Sequence, residues 1–376
     1  MRNVAVQWCA PAGLALGLGL GGCGESVPSE PEVRSTQADA AAEQAVRNHW
    51  SSVSGFNNPR GLAFGPEGLL YVAEAGTGGT TSTVGHCAQE PAPIGPFTGG
   101  FTGRISRVSR QGSRETVAQG LPSATGALGD VIGVSDLAFL EGRLYALVAA
   151  GGCSHGHVSA PAGIYRVARG GDWRPVANFG RFHRANPAAN PDIPSFSPDA
   201  SLYAMAAQDG SLYLTEANQK GLFQWTPAEG FSRVADFSVV PGLETPTAVS
   251  LEGPMLVSDF GLLRGPTIGV GTESIYRITR SGGTRLWAKG FTKVLGLALH
   301  RGSLYVLEAA SEELFAPGSG RVLRMSERGQ GGDAEVIVSG LYFPTSIVIG
   351  PDQALYVSNR GFGAAPGTGE VLRIPL

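Results

Sequence analysis

The sequence predicts an all-β fold, a six-bladed β-propeller with four-stranded antiparallel blades, on three observations. A short strand-like phrase returns six times: Leu70-Tyr71-Val72-Ala73-Glu74, Leu144-Tyr145-Ala146, Leu212-Tyr213-Leu214-Thr215-Glu216, Leu256-Val257-Ser258-Asp259, Leu304-Tyr305-Val306-Leu307-Glu308 and Leu355-Tyr356-Val357-Ser358-Asn359. The phrases recur about every 57 residues, the length of one blade rather than of one domain. The chain of 376 residues carries 56 Gly and 25 Pro with only 16% charged residues, a composition rich in turns and poor in helix formers. Finally, the sixth repeat ends after its third strand, at Ile374, while residues 50–56 have the pattern of the missing fourth. Handing the first segment to the last blade closes the ring and removes two open sheet edges.

Residues 1–22 read as a targeting segment: Arg2 supplies a positive start and an apolar run from Ala10 to Leu20 follows. Leu20-Gly21-Gly22-Cys23 has the form of a bacterial lipobox, in which Cys23 is acylated and becomes the new N-terminus. Acyl chains hold a protein to a bilayer at about 0.8 kcal/mol per buried methylene. The expected location is the cell envelope, as an outer-membrane lipoprotein facing the periplasm or exterior, because Gly24 and not Asp follows the cysteine. Residues 23–48 are rich in Glu, Ser, Pro, Ala and Gln without an apolar face, as expected of a flexible linker. The propeller is assigned to residues 49–376.

Within each repeat the inner strand alternates small and large residues, as a crowded channel requires: Gly61-Leu62-Ala63-Phe64, Asp136-Leu137-Ala138-Phe139, Leu202-Tyr203-Ala204-Met205, Thr247-Ala248-Val249-Ser250, Gly296-Leu297-Ala298-Leu299 and Ser346-Ile347-Val348-Ile349. The third strands (Ile105-Ser106-Arg107-Val108, for example) alternate apolar and polar residues, and their recurring Arg reads as solvated. Three long connections, 76–102, 180–200 and 260–272, all leave the same face of a propeller, the top, where binding is expected. The formal charge of −3 and the lack of any Lys/Arg block exclude a nucleic-acid footprint.

Asn57-Asn58-Pro59-Arg60-Gly61-Leu62-Ala63-Phe64-Gly65-Pro66-Glu67-Gly68 resembles the first blade of the ScyD/ScyE family, linked to scytonemin biosynthesis. Asn186-Pro187-Ala188-Ala189-Asn190-Pro191-Asp192, Pro344-Thr345 and Gly367-Thr368-Gly369-Glu370-Val371-Leu372-Arg373-Ile374 agree with it. The resemblance implies an extracytoplasmic NHL-like propeller; the family is associated with late steps of assembling an aromatic pigment but occurs widely outside pigment producers, so the pathway is not carried over to this chain. The expected role is a binding or scaffold module for a small molecule or envelope protein at the top face.

The alternative is an enzyme. Glu74, Glu216, Asp259, Glu308 and Asn359 end second strands, and oxygen ligands ringing a channel mouth suit Ca²⁺ or Mg²⁺. Such a metal would serve a hydrolase of the lactonase or esterase type. Against it stands the reading that each acid caps a turn or binds backbone N–H groups of a neighbouring blade. Cys87 and Cys153 follow second strands of adjacent blades, so an exported protein would pair them as a disulfide. A competing Cys/His site would draw on His86, His155 and His157 for zinc or copper, and with copper a more remote oxidase reading. His183 is a candidate general base. No Gly-x-Ser-x-Gly elbow or His-Glu-x-x-His motif is present.

Overall fold

The computed structural model describes residues 51–191, 197–262, 268–313, 316–326 and 334–376. The expected signal peptide, Cys23 and linker lie outside the described residues. Among the described residues no helix is long and apolar enough to cross a membrane.

Six antiparallel sheets form the expected propeller. Each blade runs from an innermost strand outwards, as in blade three: Leu202–Gln208, Ser211–Glu216, Gly221–Thr226 and Gly230–Asp236. Blade one differs from the expected pattern. Its third and fourth strands, Thr98–Val108 and Arg114–Thr125, run on as a long hairpin that also carries Thr81–Ser82 and Val131–Ile132, making a six-stranded sheet. The segment read as a long loop therefore contributes strand pairs as well. The connection after blade two contains a short helix, Phe179–Ala185, whose start is capped by the Asn178 side chain accepting from Arg181 N.

Ring closure follows the sequence reading. Ser51–Phe56 pairs antiparallel with Gly369–Ile374, Ser51 opposite Arg373 and Val53 opposite Val371, as the outermost strand of blade six. Phe56 is fully buried, packed with Leu62, Leu70, Val72 and Val371. Burying such a side chain contributes about 1.5–3 kcal/mol. The remaining core lies between neighbouring blades: Leu147, Ile164 and Phe179 of blade two and its exit pack on Leu212, Leu214 and Phe223 of blade three. The recurring third-strand arginines sit on outer, solvated positions, as expected; Arg277 and Arg324 are exposed.

The register shows an offset in the inner strands. A bulge at the top of five of the six inner strands breaks pairing between Pro59 and Leu62, Val134 and Asp136, Leu202 and Met205, Pro246 and Val249, and Val294 and Gly296, while Ser346–Ile349 of blade six pairs without one. Leu62, Leu137, Met205, Val249, Leu297 and Ile347 pair with the residue two before the end of each second strand. The sequence alignment matches this in four blades and is displaced in blades three and four, where Ala204 and Ala248 are the true counterparts of Gly61.

Candidate functional site: the mouth of the central channel

The second-strand acids end at the top face, and each is engaged within its own blade. Glu74 accepts from Asn57 N at 2.8 Å and holds Arg104 through both oxygens, at 2.8 and 2.6 Å, with Ser106 Oγ as a further donor. Glu216 accepts from the N–H groups of Ser201, Asn218 and Gln219. Asp259 accepts from Glu244, Thr245 and Gly261 N–H. Glu308 takes Thr292 N–H and the Arg321 guanidinium, and Asn359 takes Tyr342 N–H and donates to Glu370. In every case one donor lies just before the inner strand of the same blade. The acid therefore fastens the incoming connection, which explains why it recurs with the repeat. The N–H groups come from the acid's own blade rather than a neighbouring one. Burial pushes the Glu216 carboxyl up to about 7 against the pull of its three N–H donors, and raises Asp259 and Glu308 as well. Among the described residues no three His, Cys, Asp or Glu side chains converge as a metal site. The oxygens assigned to Ca²⁺ or Mg²⁺ have donors in place, so the donor set does not fit a resident cation.

Cys87 and Cys153 form a disulfide, Cα–Cα 6.3 Å. It joins the long connection of blade one to that of blade two on the top face. His155 and His157 are buried and packed into the blade-one hairpin: His155 Nδ1 meets Gly151 O at 2.8 Å beside Phe97, and His157 Nε2 meets Ser123 O at 3.0 Å beside Phe101. Burial lowers both histidine pKa values, keeping the rings neutral as carbonyl donors. Gly156 is required here, with φ +81° and only 2.4 Å between a Cβ and Gly99 N. His86 remains exposed. With both sulfurs bonded, Cys87 and Cys153 offer no thiolate to zinc or copper. His183 lies buried against Phe179 on the short helix; burial, with Arg233 and Arg184 nearby, takes its pKa down to about 4. Its basicity is therefore low for a general base at neutral pH.

A group that the sequence reading passed over lines the channel. Arg60, Ser135, Tyr203, Thr247 and Leu295, each second in its inner strand and within the bulge, share a level with Thr345, which directly precedes the blade-six inner strand. Thr345 and Thr247 use this position to tie blades, donating to Pro59 O and Val294 O respectively, both at 2.7 Å. Tyr203 reaches instead across the channel, its phenol donating to Thr345 O of the opposite blade at 3.2 Å. Arg60 donates to Val131 O at 2.6 Å, and its guanidinium lies 5.8 Å from the Phe362 ring centroid. Burial lowers the Arg60 pKa while Tyr203 and Asp130 oppose the shift. Next to this level, Asp136 accepts from Leu137 N and, in blade three, Met205 N. Gly61 packs so close to it that a Cβ would fall 1.8 Å from Asp136 Oδ1. Burial pushes Asp136 up to about 7.

No family model matches the sequence, and no curated protein does. Solved structures share its architecture. An oxidoreductase (glucose dehydrogenase) from Thermus thermophilus is 19% identical over 86% of this chain and 99% of its own, with a TM-score of 0.55. The PQQ-bound aldose sugar dehydrogenase of Streptomyces coelicolor is 14% identical over 87% and 98%, TM-score 0.52. A luciferin-regenerating enzyme is 12% identical over 87% and 95%, TM-score 0.51. At these identities the likeness is one of fold, and the class defined is the six-bladed β-propeller.

Proposed function

We propose that the protein is a lipid-anchored, ScyD/ScyE-like binding module of the cell envelope, which holds a small molecule at the top face over the channel mouth. Cys23 carries the anchor and residues 23–48 the tether. The observation that supports this reading is the framing of the mouth. The Cys87–Cys153 bridge and the buried His155 and His157 fix two long connections against blade one. Asp199 adds a third tie, accepting from Ser154 N and Oγ and from Arg184. Walls fixed before the ligand arrives lower the ordering cost of binding. The hydrolase alternative requires second-strand acids to give up the N–H groups and arginines they hold.

Two measurements test the reading. Radiolabelled palmitate should enter the wild-type protein in envelope fractions and be absent from Cys23→Ala. Untagged protein, assayed for metals and for lactone and ester hydrolysis, should show no stoichiometric Ca²⁺-dependent turnover. Such turnover would replace the binding module by the hydrolase.

A further inference from the structure

Comparison of the six blades with one another singles out two residues. At the level just below the channel mouth, three blades place a small hydroxyl residue, Ser135, Thr247 or Thr345, and one places Leu295. Blade one places an arginine and blade three a tyrosine. A threonine suffices for the structural task, since Thr345 and Thr247 each tie to the next blade without charge. Arg60 makes the corresponding tie, to Val131 O in the connection to blade two, with a single N–H. A guanidinium carries five N–H donors in a planar fork. Among the described residues no carboxylate forms an ion pair with Arg60. The cation is half-buried in the channel wall, where Asp130 acts on it electrostatically without pairing with it, so most of its fork is left for a ligand.

We propose that Arg60 is the anchor of a binding site for a small monocarboxylate that enters the channel from the top face. The assignment rests on the binding-module reading above and gives that module its ligand class. The surroundings select the ligand. Tyr203 spans the channel to Thr345 and supplies a phenolic wall beside Arg60. The Phe362 ring, itself edge-on to Phe343 at 5.9 Å, provides an apolar shelf against the guanidinium. Arginine binds a carboxylate through two parallel N–H···O bonds, which fits a planar acid lying over such a shelf. Asp130 acts on Arg60 and Asp136 on Tyr203, so each added negative charge on a ligand is disfavoured and a single carboxylate fits better than a doubly charged phosphate.

The test is calorimetric titration of the full-length protein with benzoate, benzamide, gluconate, glucose and inorganic phosphate. The variants are Arg60→Thr, which copies blades four and six, and Arg60→Lys. A matched melting temperature for Arg60→Thr establishes that its tie and fold are kept. The proposal expects one site that takes benzoate or gluconate, with the uncharged partner about tenfold weaker or more, and phosphate weaker than either acid. Arg60→Thr should lose the carboxylate preference, and Arg60→Lys should recover it in part. Equal binding of acid and uncharged partner, preference for phosphate, or wild-type affinity in Arg60→Thr would each overturn the assignment. Uncharged ligands binding alone, at the top face and indifferent to residue 60, would overturn it while leaving the binding module standing. A failure of every acid to bind also overturns it.

Discussion

Reduction of the Cys87–Cys153 bridge is expected to lower the melting temperature by about 6 °C. The bridge closes a loop of 66 residues between two blades. Releasing a loop of that length returns about 4 kcal/mol of chain entropy to the unfolded state. A propeller of roughly 330 residues unfolds with about 0.7 kcal/mol/K of entropy, which converts that loss into about 6 °C. The assay is differential scanning calorimetry with and without reductant, on the native protein and on Cys87→Ser/Cys153→Ser. Both cysteines are half-buried, so the bond is reachable by a small thiol. The double variant should melt where the reduced protein does and be indifferent to reductant. A native protein that titrates two free thiols, or a shift below about 1 °C on verified reduction, would refute the reasoning.

Three further outcomes follow from buried groups. Lys293, 1% exposed, pairs with Glu273 and donates to Phe260 O and Leu262 O, so Lys293→Met leaves Glu273 buried and unpaired; urea denaturation should show a loss of about 3–5 kcal/mol, smaller when Glu273→Leu is added. Phe56→Ala should cost about 3–5 kcal/mol and open the last blade to limited proteolysis, because that side chain seats the closing strand in the core. Asp136 has its pKa raised from 3.8 to about 7 in the folded protein, so its contribution to stability is complete below about 4 and lost as pH rises through about 7. Melting temperatures of wild type minus Asp136→Asn should accordingly fall between pH 4 and pH 7, and a flat or rising difference would contradict the assignment of that shift.

The fold was legible because its evidence is repeated. Six Leu-Tyr-type phrases fix the second strands, and the absence of a fourth strand after Ile374 points to residues 50–56 as the closing piece, which the pairing of Ser51 with Arg373 confirms. The disulfide was legible because Cys87 and Cys153 follow second strands of adjacent blades, placing both on one face. The candidate site was less so. Glu74, Glu216, Asp259 and Glu308 draw the eye as ligands because sequence shows the carboxylates but not the backbone N–H groups and arginines they serve. Arg60 and Tyr203 escaped notice for a geometric reason. Five of the six inner strands open on a bulge whose sequence differs from blade to blade, so aligning Leu202 or Thr247 with Gly61 hides that Tyr203, Thr247 and Arg60 share a level. Asp136 was quoted only as part of a strand, and its contact with Met205 belongs to the next blade. The extended blade-one hairpin is hidden because Gly99 and Gly100 read as loop, although the small size of Gly99 permits the close approach of Gly156 and that of Gly100 the approach of Gly79.

The central claim is that binding resides in residues departing from the repeat, while the repeated acids hold the fold. It is tested most directly by pairing Arg60→Thr with Glu308→Gln, each followed by thermal melting and by benzoate titration. Arg60→Thr is expected to melt with the wild type and lose benzoate. Glu308→Gln, which weakens the ties to Thr292 N and Arg321, is expected to melt lower and to bind benzoate normally once folded. The reverse result, benzoate lost with Glu308→Gln and kept with Arg60→Thr at unchanged melting temperatures, would contradict the account.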